Sequence, residues 1–120
     1  MNDKNCNVED LRKIMVAFIK ERKWEKFHNA KNISMSIAIE AAELMEHFQW
    51  NSFEEVEEFK NDPKKMEDIR DEVADIFMYI LSFTNSMNID LSNAVVQKMK
   101  KNKMKYPAEK FQGNYEKVRL

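Results

Sequence analysis

Glu72-Val-Ala-Asp-Ile-Phe-Met-Tyr-Ile-Leu81 is the stretch that decides how this chain folds. Its apolar residues continue a stripe through Ile69, Val73, Ile76, Ile80 and Phe83, which is the spacing of a helix face and not the alternation of a strand. Upstream, Asp62-Pro63 has the form of an N-cap followed by proline at the first helical position. Downstream, Asn88 to Asp90 breaks the pattern, so a helix is predicted from there to about Met87. Two carboxylates, Glu72 and Asp75, sit beside the apolar stripe at i, i+3, where an ionised acid is costly to bury unless something positive meets it.

The same arrangement occurs once more, in Ile37-Ala-Ile-Glu-Ala-Ala-Glu-Leu-Met45, where Glu40 and Glu43 flank the stripe of Ile37, Ala41, Leu44 and Phe48. Asn32 or Ser34 is the expected cap of this helix, which runs to about Gln49. Working outward, Leu11, Met15, Phe18 and Ile19 define an amphipathic helix over about Val8 to Phe27. Ser52 followed by Glu55 forms a capping box for a short acidic helix up to Lys60, and Leu91 to Met104 gives a last helix, ended by Tyr106-Pro107. The expectation is an all-α four-helix bundle, completed by pairing with copies of itself because four helices of this length leave apolar stripes uncovered.

Composition agrees. One Gly and two Pro in 120 residues leave few tight turns, and 43% hydrophobic residues with a net charge of -1 describe a folded chain without the bulk positive field of a nucleic-acid binder. No nucleic-acid polymer and no membrane are therefore expected as partners. The charge is unevenly spread: Glu40 to Asp75 carries 13 acids and 4 bases, Val96 to Leu120 carries 8 bases and 2 acids. One domain over residues 1–120 is expected, with a core over about 8–106 and a basic tail over 107–120. A single cysteine, Cys6, a polar N-terminus and no long apolar run point to the cytoplasm.

Four carboxylates meeting between two helices make an all-oxygen site for a hard cation, Mg²⁺ with Mn²⁺ as the alternative, and such sites leave positions for water and substrate phosphates. A di-iron carboxylate bundle needs a Glu-x-x-His motif on each of two helices, and this chain has one, Glu25 to His28, with His47 its only other histidine. A non-catalytic module binding a partner through its charged faces is the alternative from another class. Read without further context, Trp24 and Trp50 are core or boundary aromatics.

The surrounding words carry a family resemblance over roughly Val8 to Gly113. They are Glu21-Arg-Lys-Trp-Glu-Lys-Phe-His28, Lys31-Asn32, Glu40-Ala-Ala-Glu-Leu-Met-Glu-His-Phe-Gln-Trp50, Asp71 to Ile76 with Tyr79, and Lys98-x-x-x-Asn102-x-x-Lys-Tyr-Pro107. In order and spacing they resemble the MazG-like, all-α nucleoside triphosphate pyrophosphohydrolases, in particular the dCTP pyrophosphatase branch. The stretch from Asn51 to Met66, strongly acidic and without glycine, departs from the animal members. The resemblance implies that Glu40, Glu43, Glu72 and Asp75 bind Mg²⁺. It implies a nucleoside pocket of Trp24, Phe27, His28, Trp50 and Tyr79, and places Lys98, Asn102, Lys105 and Tyr106 near the phosphates. Glu43 and Glu46 are the candidates for accepting the proton of the attacking water. The implied reaction converts dCTP, or a modified relative, to the monophosphate and pyrophosphate in a homodimer or homotetramer that cleanses the nucleotide pool. A dUTP-hydrolysing relative is the enzymatic alternative.

Overall fold

A computed structural model describes residues 1–113, in two compact units that divide after Asn88. The first unit holds α1 (Val8–Glu21), α2 (Ala30–Glu46), α3 (Phe53–Glu58) and α4 (Pro63–Ser86); the second holds α5 (Leu91–Lys105) and α6 (Ala108–Phe111). Single 3₁₀ turns at Glu25–Phe27 and Phe59–Asn61 complete the elements, and there is no strand among the described residues. The all-α class is as predicted, and the four long helices predicted are α1, α2, α4 and α5. The basic tail expected over 107–120 is described only as far as Gly113, the remainder lying outside the described residues. No described helix is long and apolar enough to cross a membrane.

Local chemistry explains most boundaries. Ser52 and Glu55 form the reciprocal capping box at α3, and the Asp62 side chain accepts from the N–H groups of Lys64 and Lys65 with Pro63 at the first position of α4. Asn7 and Asp10 make a second capping box that starts α1. Two boundaries differ from expectation. Helix α1 stops at Glu21 rather than Phe27, because Lys23 takes a left-handed φ of 55° and closes a Schellman turn. In it, Lys23 N–H donates to Lys20 O and Trp24 N–H to Ile19 O. The accompanying apolar contact is Phe18 against the edge of Trp24, ring centres 5.8 Å apart. Helix α2 starts at Ala30, capped by Asn29, whose side chain accepts from Asn32 N–H. The expected caps Asn32 and Ser34 are instead inside the helix, their side chains donating to Phe27 O and Lys31 O.

Helix α4 is the spine of the first unit, packing along α2 and along α1. Met15 and Ile19 of α1, Ile33 of α2 and Leu81 of α4 are its buried apolar side chains, each contributing about 1.5–3 kcal/mol. Arg12 of α1 adds a polar tie, donating to Asn85 of α4 at 2.7 Å. Large apolar side chains remain exposed around this small core, among them Phe18, Ile39, Val73, Trp50 at 85% and Phe53 at 90%.

Candidate active site

The α2–α4 contact brings the two acidic pairs face to face. Because Glu40 and Glu43 are one turn apart on the face of α2 turned to α4, one carboxylate oxygen from each of Glu40, Glu43 and Glu72 falls within 4.8 Å of the others. Glu40 Oε2 and Glu72 Oε2 are buried with no hydrogen-bond partner. Burial, then the neighbouring Glu43 carboxylate, raises the Glu40 carboxyl from 4.5 to about 7, with Glu72 and the charge of Asp75 adding to the effect. Glu72 is raised by the same leading causes, burial and Glu43. Among the described residues no Lys or Arg forms an ion pair with any of the three, and the one basic side chain in ion-pair range is His47, beside Glu72. Three converging carboxylates, two of them with an orphaned buried oxygen, and no Lys or Arg partner among the described residues fit a hard divalent cation. Asp75 lies outside this group of three but close enough for its charge to bear on Glu40 and Glu72. Glu46 is exposed, outside the acid group, and borders a shallow hollow with Ala42 and Phe48.

Asp75 also lines a cavity of about 340 Å³ between α1 and α4, together with Trp24, His28, Met78 and Tyr79. The Schellman turn swings Trp24 back over α1, and the His28 ring stacks on it, 6.3 Å between centres and 7° from parallel. Three of the five residues expected in a nucleoside pocket, Trp24, His28 and Tyr79, are thus together. Phe27 and Trp50 are not among the lining residues: Phe27 is 56% exposed beneath the Lys26 ammonium, and Trp50 projects from the turn after α2. Trp50 is therefore a surface residue of the protomer and not a core or boundary aromatic. The expected phosphate contacts belong to the second unit, with exposed Lys98 and Lys105 and half-buried Asn102 on α5. Tyr106 caps that helix, its N–H donating to Asn102 O and its ring packing on Phe111.

Two further side chains enter the site without having been expected there. His47 Nε2 stands 4.0 Å from Glu72 Oε1, and Lys65 Nζ lies 3.1 Å from His47 Nδ1. An ammonium only donates, so Nδ1 accepts and the neutral ring carries its proton on Nε2, facing Glu72. The sequence held a signal for His47, since residues 40, 43 and 47 fall on one helical face; Lys65 gave none, because its contact depends on how α4 begins beside the end of α2.

Residues 35–119 match the model of the MazG-like family. Over 107 residues, 89% of this chain and 63% of the relative, the chain is 33% identical to dCTP pyrophosphatase 1 of Rattus norvegicus. Against dCTP pyrophosphatase 1 of Homo sapiens it is 33% identical over 101 residues, 84% of this chain and 59% of that one. The chain thus spans less than two thirds of the length of these curated relatives. Among solved structures, a pyrophosphatase from Archaeoglobus fulgidus is 36% identical with a TM-score of 0.76, the match covering 89% of this chain and 98% of that one. By the family match and the shared fold, this chain belongs to the MazG-like family.

Proposed function

We propose that this protein is a divalent-cation-dependent nucleoside triphosphate pyrophosphohydrolase acting on dCTP or a modified relative, yielding the monophosphate and pyrophosphate. The observation that carries this reading is the double position of Asp75, which borders the aromatic cavity and adds its charge to the carboxylate group. Glu72, Asp75 and Tyr79 fall at i, i+3, i+7 on α4, about 10 Å end to end at about 1.5 Å per residue, the scale on which a nucleoside triphosphate separates phosphates from base. Relatives named dCTP pyrophosphatase 1 and a structural neighbour named a pyrophosphatase support the same chemistry.

Glu40, Glu43 and Glu72, with Asp75 beside them, would hold Mg²⁺ or Mn²⁺. When bound, the cation supplies neutralisation of the phosphate oxygens and orientation of water. The chain's own residues do the rest. Trp24 stacks on the base and His28 meets its edge, while Tyr79 closes the cavity on the α4 side. Water attacks the α-phosphorus, its oxygen forms the new P–O bond, Glu43 takes the proton, and the bond to the pyrophosphate oxygen breaks. Glu46, exposed and outside the acid group, is the weaker candidate for that proton. Lys98 and Lys105 would balance the phosphate charge, and Asn102 and Tyr106 would donate hydrogen bonds to the phosphate oxygens. Exposed Phe18, Trp50, Phe53 and Val73 are covered in a homodimer or homotetramer, which brings Phe27 and Trp50 to the pocket. The setting is a cytoplasmic one, in which the whole chain acts as one MazG-like domain that cleanses or balances the nucleotide pool.

Incubation with each deoxynucleoside triphosphate and Mg²⁺, read by chromatography, tests this. dCMP with pyrophosphate is the expected product pair; dCDP with inorganic phosphate, or no turnover of any triphosphate, contradicts it.

A further inference from the structure

Ser82 is a polar residue in the interior of the first unit, 3% exposed, one turn beyond Tyr79 on α4. Its Oγ lies 3.2 Å from Nδ1 of His28. Nearby Thr84 gives its hydroxyl hydrogen to Leu81 O, the usual refuge for such a group inside a helix. Among the described residues, the partner recorded for the Ser82 hydroxyl is the imidazole nitrogen.

Stacking on Trp24 fixes the plane of the His28 ring but leaves two flips open, and the flip decides which atoms face the cavity. Turning the ring over would put a carbon where Nδ1 now meets Oγ. The tautomer goes with the direction of the same contact: a donating Ser82 hydroxyl makes Nδ1 the acceptor, whereas a donating Nδ1 would send that hydroxyl to a carbonyl one turn back. With Ser82 donating, Nδ1 accepts and the proton of the neutral ring is on Nε2, at the opposite side of the imidazole from Ser82. His28 borders two cavities, one of about 410 Å³ that Ser82 also lines and the aromatic one that Ser82 does not. With Nδ1 engaged by Ser82, the ring nitrogen left to meet a ligand is Nε2.

We propose that Ser82 is a positioning residue for base selection: by holding His28 in one flip and one tautomer, it makes the aromatic cavity present a hydrogen-bond donor to the base. A donor aimed at N3 favours cytosine, whose N3 accepts, over uracil and thymine, whose N3 carries a hydrogen. This inference rests on the nucleotide-hydrolysing function proposed above, and deepens it.

The test has two arms. In nucleotide-free wild-type protein, long-range ¹H–¹⁵N correlation at a pH where the imidazole is neutral should show His28 protonated on Nε2; a ring protonated on Nδ1 overturns the proposal. In Ser82→Ala, that signature should blur into a mixture of tautomers. The ratio of kcat/KM for dCTP over dUTP should then fall about tenfold, the scale of one neutral hydrogen bond, and Ser82→Thr, which keeps the hydroxyl, should restore it. A helical Ser82→Ala protein with an unchanged tautomer and an unchanged ratio overturns the proposal. If Ser82→Ala does not fold, the wild-type spectrum and the Ser82→Thr ratio decide. Failure of the underlying reading is distinguishable, since it appears as wild-type protein that hydrolyses neither triphosphate, whatever the spectrum of His28.

Discussion

Glu40→Gln is expected to make the metal-free protein more stable at alkaline pH while abolishing its response to Mg²⁺. The folded protein raises Glu40 from 4.5 to about 7, chiefly by burial and then by the Glu43 carboxylate, so the fold favours the protonated form. The resulting stability is fully present below about pH 4.5 and is lost as pH rises through about 7. Ionising Glu40 in the fold costs at most about 3 kcal/mol, which partial contact with water reduces to about 1–2 kcal/mol. Glu72, raised for the same leading reasons, acts in the same direction. For a chain of this size that corresponds to a fall in Tm of about 4–10 °C between pH 5 and pH 8. Thermal unfolding followed by helical circular dichroism, in excess chelator at both pH values, should show this fall in the wild type and a smaller one in Glu40→Gln. Added Mg²⁺ should raise the wild-type Tm at pH 8, because a ligand bound only by the folded state stabilises it. Equal Tm at both pH values without metal, or a Glu40→Gln protein less stable than wild type at pH 8, would refute the reasoning.

Glu72→Gln and Asp75→Asn should each abolish turnover while the chain stays helical; full activity in either variant, or in excess chelator, would remove the metal assignment. Trp24→Ala should raise KM for every triphosphate by about one to two decades, the worth of base stacking, with Mg²⁺ affinity unchanged by calorimetry. Trp50→Ala should keep its unfolding free energy within about 1 kcal/mol of wild type, since the side chain is 85% exposed, and should raise KM only through the assembled pocket. Sedimentation at micromolar concentration should show a species larger than the 14.4 kDa protomer, and an active species of that mass would contradict the oligomer. His47→Leu should weaken Mg²⁺ binding severalfold by removing the Nε2–H that faces Glu72, which calorimetry reads directly.

The parts of this molecule set by contacts within three or four residues were readable in the chain. Ser52–Glu55 and Asp62–Pro63 mark helix starts through side-chain chemistry local to them, and the paired acids at i, i+3 must share a face wherever their helices go. The end of α1 was not readable, because its left-handed residue is Lys23, where glycine is the usual sign, and the turn is held by Phe18 against Trp24. Periodicity likewise predicted that Glu40, Glu43, Glu72 and Asp75 meet as four. It fixes which way each carboxylate leaves its own helix but not how the two helices pack, which draws Glu40, Glu43 and Glu72 together and sets Asp75 beside them at the aromatic cavity. Phe27 and Trp50 lie in turns, where spacing carries no direction. The contacts of His47 with Glu72, and of His28 with Ser82, join positions 25 and 54 residues apart and exist only once the helices have packed.

Hydrolysis of dCTP in ¹⁸O-water, with both products analysed by mass spectrometry, tests most directly whether the carboxylate group and the aromatic cavity serve attack at the α-phosphorus. Attack there places the label in dCMP and leaves pyrophosphate unlabelled. Label in pyrophosphate, or in inorganic phosphate, would contradict it.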